Sequence, residues 1–339
     1  MSAPVDVSAA LVAKSMAVSR WSAPAALVIL AALGFAVPLW LRSSFYLGLA
    51  NQGLILGVLA LAAAFLMHQC RMVIFGVAAF YGAPAYLFAI ASLNWSWSPN
   101  AAALFAILGT MLASLAMGFA IVRAKPLAFA MLTLAIGQML RQLVLITGLR
   151  PITGGEDGLN IVFNGAFLGL SQSALATPAR FWPVAWTVVC AVVLMVFVAT
   201  RSRFGRILRA TRDNEERMRF SGYDTFAPRL AAFALASFIA TLGGLLQVLN
   251  SSFASPELLD FSLAGNVLVS ALIGGGASVV GPIVGGVAFT LGLDQFAASG
   301  HLELFTGVAI VIVIAALPDG VEGIVARLAR RRGGGDALN

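Results

Sequence analysis

Charge is what this sequence has least of. Of its 339 residues, 10% are Asp, Glu, Lys or Arg and 60% are apolar. A soluble domain carries about 25% charged residues, so an ordinary soluble fold is excluded. Lysine is the scarcest charge: Lys14 and Lys125 are the only two. Neither follows a Gly-rich phosphate loop, which leaves no ATP site of the P-loop kind in this chain and no cofactor of its own. The only cysteines, Cys70 and Cys190, provide neither a disulfide framework nor a metal-ligand spacing. The candidates for chemistry within the membrane are His68, Arg141, Asp294, His301 and Glu303. They form no HExxH or paired-carboxylate pattern, and each reads as a cap or an interfacial group rather than as a catalytic residue.

What is present in quantity is uninterrupted apolar sequence. No charged residue occurs at 72–122, 181–200, 230–256 or 261–293. A helix needs about 20 residues to cross the hydrocarbon core, so the 51-residue run 72–122 holds two spans. They part at Asn94-Trp-Ser-Trp-Ser-Pro-Asn100, where Trp95 and Trp97 suit an interfacial aromatic belt. The expected fold is an all-α, polytopic membrane helix bundle of about ten spans: 22–41, 46–67, 72–92, 100–122, 126–147, 182–200, 230–250, 264–279, 282–298 and 304–318. The first could be read as a signal peptide, but no small-x-small cleavage site follows and the apolar run continues to Leu41, which favours a span.

The net charge of +7 is a topology signal rather than a nucleic-acid footprint. With the N-terminus inside, 17 of the 21 basic residues face the cytoplasm, from Lys14 through the Arg201–Arg229 loop to Arg332. This bias places both termini inside. The expected organisation is a cytoplasmic segment 1–20, a membrane domain 21–320 with an external loop 149–181 and a cytoplasmic loop 201–229, and an Arg-rich cytoplasmic tail 321–339.

The cytoplasmic loop mixes eight Arg with the acids Asp213, Glu215, Glu216 and Asp224. Asp213-Asn-Glu-Glu216 resembles a capping box, Glu215 and Arg219 have the spacing of a helical ion pair, and Gly222 can end the helix in a left-handed conformation. A short helix over about 214–221 follows, with Pro228 in the first turn of the next span. Such a helix is either a docking element for a soluble partner or a solvated connection.

Two apolar stretches are rich in small and helix-breaking residues: Phe75-Gly-Val-Ala-Ala-Phe-Tyr-Gly-Ala-Pro-Ala-Tyr86 and Ile273-Gly-Gly-Gly-Ala-Ser-Val-Val-Gly-Pro-Ile-Val-Gly-Gly286. Irregular backbone at membrane depth survives only beside a cavity or inside protein, and paired broken segments point to a transport pathway. Gly274, Gly275 and Gly276 read as a broken helix or re-entrant turn. Gly285 and Gly286 read as close helix packing. In the external loop, Thr153-Gly-Gly-Glu-Asp-Gly158 is a tight turn with an acidic tip, serving either the turn itself or an external partner.

Four blocks in order resemble the branched-chain amino acid ABC permease family, LivM type. They are His68–Tyr86, ending Gly82-Ala-Pro-Ala-Tyr; Ala128-Phe-Ala-Met-Leu-Thr-Leu-Ala135 with Thr153-Gly-Gly-Glu-Asp-Gly-Leu159; Ser202-Arg-Phe-Gly-Arg206 through Gly222; and Ser255-Pro256 with Ile273–Pro282. Together they cover about residues 45–320. Arg71, Ile74, Val77 and Gln138 depart from the residues usual in the family.

The resemblance implies a multi-pass permease of a bacterial inner membrane. It would form a pathway with a second homologous permease, be driven by two cytoplasmic P-loop ATPase subunits that bind the ATP, and be served by a periplasmic solute-binding protein. Branched-chain or other amino acids are the implied solutes, with urea or amides and small aromatic or carboxylic acids as alternatives. It further implies coupling to the ATPase through Arg212, Asp213, Glu215, Glu216, Met218 and Gly222. A pathway near Gly76, Phe80, Tyr81, Gly82, Tyr86, Thr133, Gln138 and Gly274–Gly276 follows from it, as does external docking at Thr153, Gly154, Gly155, Glu156 and Asp157. A secondary transporter would need acidic or His relays within its spans, and the near-absence of acids there favours external powering.

Overall fold

The computed structural model describes residues 32–38, 40, 43–162, 165–275 and 278–297. The expected span 304–318, the segment 1–20, the tail 321–339 and Gly276 lie outside the described residues.

Long apolar runs become long helices because a bilayer leaves backbone groups no partner but the chain itself. Ser44–Cys70 (α1), Val77–Leu93 (α2), Pro99–Ile121 (α3) and Pro126–Leu145 (α4) form the first half. Pro178–Arg201 (α7), Phe226–Ser251 (α10), Phe261–Gly274 (α11) and Gly281–Ala297 (α12) form the second. Between the halves lie the short helices Arg150–Thr153 (α5) and Gln172–Leu175 (α6), in the loop expected outside, and Arg203–Asp213 (α8) and Glu215–Phe220 (α9), in the loop expected in the cytoplasm. Five of these helices, α1, α3, α4, α7 and α10, are long and apolar enough to cross a membrane, and α2 and α11 are shorter apolar helices. The chain is a polytopic helical membrane protein.

The centre is a pair of rods. In their most apolar stretch α1 is 78% and α10 is 72% buried, against 28–33% for α3, α4 and α7. Around the rods, α7, α11 and α12 pack on α1, while α2 and α3 pack on α10. Glycine permits the closest approaches. A Cβ at Gly53 would stand 2.8 Å from the Val287 Cα, and one at Gly57 2.9 Å from the Ile283 Cα. The α12 glycine Gly286 meets the Gly57 backbone, and Gly285 meets the Ser270 carbonyl of α11, so both do serve packing. On the outer faces, Leu104, Leu108, Leu112 and Phe119 of α3 and Leu127, Met131 and Met139 of α4 are exposed, as suits hydrocarbon rather than water.

Both rods end in the same irregular way. Arg71 (φ 54°, ψ 27°) and Ser252 (φ 53°, ψ 27°) take left-handed conformations, uncommon for residues with a Cβ. The Arg71 N–H donates to the Met67 carbonyl at 3.1 Å and the Ser252 N–H to the Val248 carbonyl at 2.9 Å. After each, the chain leaves the helix and resumes as a shorter one, of 17 residues in α2 and 14 in α11. The expected span 72–92 therefore begins late, at Val77, and the span expected at 264–279 lies at Phe261–Gly274. The partner of the first break is Ser252–Asp260, not the Gly274 segment. Gly274, Gly275 and Gly281 form the turn between α11 and α12, where a Cβ on Gly281 would sit 2.7 Å from the Gly275 carbonyl.

The loop after α5 folds back on the second break. Leu159–Asn160 (β1) pairs antiparallel with Phe253–Ala254 (β2), Leu159 opposite Ala254. Gln172 Nε2 donates to the Ile161 carbonyl at 2.6 Å. Residues 32–38 are helical and are held on α7 by Trp182, whose indole N–H donates to the Gly34 carbonyl at 2.8 Å.

Gly57→Ala is expected to destabilise the chain by about 1–3 kcal/mol through overpacking, read as a lowered melting temperature in detergent. Gly292→Ala, where nothing lies within 4 Å of the added carbon, leaves it unchanged or raised. Equal shifts for the two would show that the α1–α12 approach does not set the packing.

Candidate functional site

The two breaks approach one another against α4. At the first, Gly76 rests on the Thr133 carbonyl, and a Cβ on Gly137 would sit 3.6 Å from the Gly76 Cα. Thr133 is buried and its hydroxyl turns inward, donating to the Ala130 carbonyl at 2.8 Å. At the second, Asp260 caps α11 by accepting from the Ser262 N–H at 2.9 Å and pairs with Arg141 Nε at 3.2 Å. Both side chains are about one third exposed, at 31% and 33%. The rings of Phe75 in the first break and Phe261 beyond the second lie 6.1 Å apart. One helix thus carries both interrupted segments, and the N-terminal ends of the half-helices α2 and α11 converge where the breaks meet.

The expected pathway residues divide around this point. Gly76 and Thr133 belong to the first mooring. Gly82 faces Leu258 and Leu259 of the second break, and Tyr86 packs with Val144 and Leu259, its buried hydroxyl without a hydrogen-bond partner. Gln138 is partly exposed on α4. Phe80 and Tyr81 are deep in the core. Phe80 stacks edge-on to Phe233 at 5.4 Å, and the Tyr81 carbonyl lies against Gly244. Gly274 and Gly275 sit apart, in the α11–α12 turn. Phe75, Gly137, Asp260 and Phe261 were not among the expected site residues, and Arg141 was singled out only as a charge within the membrane. The available signal was Asp260, an N-cap residue type immediately before a charge-free run.

The turn at 153–158 is built by Thr153, whose hydroxyl donates to the Val144 carbonyl at 2.7 Å and the Leu149 carbonyl at 3.1 Å. Gly154 (φ 75°) and Gly155 (φ 60°) then reverse the chain. Glu156 is exposed, and Asp157 pairs with Arg150 at 2.8 Å.

The 201–229 loop holds two helices where one was expected. Ser202 caps α8, accepting from the Gly205 N–H at 3.4 Å. The cap of α9 is Asn214, which accepts from the Arg217 N–H at 2.8 Å. This corrects the expected cap at Asp213, which instead ends α8 and binds Arg212 at 3.0 Å. Glu215 does not pair with Arg219. It binds Arg229 at 2.9 Å and accepts from the Thr225 hydroxyl at 3.3 Å. The Arg229 side chain is only 10% exposed, and a charge so buried requires a counter-charge, which solvated Arg219 does not. Gly222 is left-handed at φ 81°, as expected. Glu216, Arg217 and Arg219 are exposed, and Phe220 is 92% exposed. Arg212 Nη1 donates to the His68 carbonyl at 2.7 Å and Arg209 Nη1 to Gln69 Oε1 at 3.4 Å, so the pair α8–α9 is bonded to the end of α1 as well as to the start of α10.

Residues 45–317 match the family described as the branched-chain amino acid transport system/permease component. The chain belongs to this permease family. It is accordingly a multi-pass protein of the inner membrane. The high-affinity branched-chain amino acid transport permease LivM of Escherichia coli is 27% identical over 276 residues, covering 74% of this chain and 63% of that protein. LivM of Salmonella typhimurium is 26% identical over 266 residues, covering 70% and 60%. The ribose import permease RbsC of Haemophilus influenzae is 27% identical over 226 residues, covering 64% and 67%. The chain therefore spans less than two thirds of the length of either LivM protein. No solved structure matches the chain.

The Arg141–Asp260 pair gives the permease a measurable clamp. Asp260→Ala removes both cap and ion pair, while Asp260→Asn keeps an acceptor for the Ser262 N–H. The alanine variant is expected to melt lower. A double-mutant cycle of Asp260→Asn with Arg141→Gln is expected to return a coupling of about 0.5–1 kcal/mol. A coupling near zero would mean that the second break is held without the ion pair.

Proposed function

We propose that this permease is one of two membrane subunits of an ATP-driven importer, and that it takes up branched-chain or other small amino acids. Family membership supports the transport role, and the single structural observation behind the mechanism is the bonding of α8–α9 to both central rods. A separate pair of cytoplasmic ATPase subunits, binding the ATP, would seat α9 and its neighbours Arg212, Asp213, Glu216 and Met218. A periplasmic binding protein would deliver the solute to the external side, where Glu156 is exposed beside the Gly154–Gly155 turn. The solute would pass the face on which Phe75, Gln138 and Phe261 are partly or fully exposed, between this subunit and the second permease.

In this mechanism, movement of α9 reaches α10 through Glu215–Arg229 and α1 through Arg212 and Arg209. Each rod ends in a break, so displacement of the rods shifts the two half-helices against α4. A second reading concerns the solute alone. The ribose permease of H. influenzae and the autoinducer 2 permease LsrC of Yersinia pestis, 26% identical over 206 residues, favour some other small polar solute taken up by the same machinery.

Affinity purification of the chain from gently solubilised membranes is expected to recover a second permease and P-loop ATPases. Recovery of the chain alone, with uptake persisting in ATP-free vesicles, would exclude this function. Gly222→Val forces a branched residue into a left-handed conformation, which costs about 1–2 kcal/mol, although no atom lies within 4 Å to clash. In the reconstituted importer it is expected to lower uptake severalfold while ATP hydrolysis continues. Gly222→Asn, tolerant of that conformation, retains uptake. Unchanged uptake in the valine variant would remove Gly222 from the coupling element.

A further inference from the structure

A groove of about 370 Å³ opens at the cytoplasmic end of α1 and α7, a size suited to a bound small molecule or headgroup. Its two ends differ in chemistry. One is apolar and built from α1 and α7, two helices long and apolar enough to cross a membrane: Leu61, Phe65 and Val196. The other is basic, with Arg201, Arg206 and Arg209, and no acid lies among its described lining residues. The contrast with the groove beside α9 is informative. That one, of about 720 Å³, also has arginines, but Glu215 and Asp224 line it with them.

The basic end is partly organised in advance. Arg209 Nη1 donates to the Thr200 carbonyl at 2.9 Å and to Gln69 Oε1 at 3.4 Å, which fixes its guanidinium while leaving its charge without an acidic partner among the described residues. The Arg201 guanidinium lies 4.2 Å from the Phe197 ring centroid, an arrangement that stabilises a cation and limits its motion. Three guanidinium groups with no carboxylate call for an anion, and phosphate oxygens suit their donor geometry. The apolar end selects among phosphates. A soluble ion gains nothing from Leu61, Phe65 and Val196, whereas an acyl chain does.

We propose that this groove binds the headgroup phosphate of an anionic phospholipid of the cytoplasmic leaflet, its acyl chain lying along α1 and α7. Basic pockets between transmembrane helices on the cytoplasmic side are suited to such headgroups. The site lies where α8 leaves α7, so the lipid would brace the root of the α8–α9 pair. It depends neither on the identity of the solute nor on the partners proposed above.

The full-length chain, reconstituted in nanodiscs of phosphatidylcholine with graded phosphatidylglycerol, can be released and weighed by native mass spectrometry. Retention of at least one phosphatidylglycerol, in about tenfold preference to phosphatidylcholine, is expected. Arg201→Gln with Arg206→Gln should lower that preference about tenfold. Arg203→Gln, an exposed arginine of α8 that lines neither groove, should leave it intact and so controls for general surface charge. Equal retention of the two lipids, or a double variant that holds phosphatidylglycerol as the unaltered chain does, overturns the proposal. So does displacement of the lipid by equimolar soluble glycerol phosphate, which would assign the site to a free phosphate. Should the double variant fail to fold, the titration of the unaltered chain with the two lipids decides by itself.

Discussion

A backbone that leaves the helix inside a bilayer must be sheltered by protein, because lipid offers its N–H and C=O groups nothing. Most of this architecture follows from meeting that requirement twice. The first break lies against α4, where only a glycine at position 76 can sit on the Thr133 carbonyl. The second is covered from outside by the 149–181 loop, which lends it the β1–β2 pairing and the Ile161 N–H bond to the Ser252 carbonyl at 2.9 Å. This loop is therefore no mere connection. Its Thr153 and glycine turn direct β1 onto β2, and a Cβ at Gly158 would meet the Ala254 carbonyl at 2.6 Å.

The regular parts of this plan were legible in the charge-free runs. Spans expected at 100–122, 126–147, 182–200 and 230–250 appear as Pro99–Ile121, Pro126–Leu145, Pro178–Arg201 and Phe226–Ser251. Hydrocarbon solvent imposes these boundaries locally, so local sequence reports them. The second break was not legible. Ser252 adopts a left-handed conformation with no glycine to announce it, and Phe253–Ala254 becomes a strand only because residues 159–160 arrive from far along the chain. The glycines at 274–276 gave a louder signal, but in the described residues 274 and 275 mark a helix turn.

The 201–229 loop shows the same division. Left-handed Gly222 and a short capped helix were readable because capping chemistry is local. The cap itself falls one residue later than expected, since Asp213 is taken up in α8 beside Arg212. The partner of Glu215 was misread for a physical reason. Spacing offered Arg219 on the same helix, where a solvated pair is worth about 0.3–0.5 kcal/mol. Burial made Arg229 the more demanding claimant, and burial is a property of the folded bundle that no local spacing conveys.

The route from the α8–α9 pair to the two breaks is unequal in length. Arg212 and Arg209 hold α1 at His68 and Gln69, two or three residues before the first break begins at Arg71. Arg229 holds α10 at its opposite end, and 26 residues, about 39 Å of helix at roughly 1.5 Å per residue, separate that end from the second break. Because α10 is closely packed on both sides, it transmits displacement as a rod rather than by bending. Under the proposed coupling, movement of α8–α9 would act on the first break directly and on the second through α10, with α4 as the common surface that both meet.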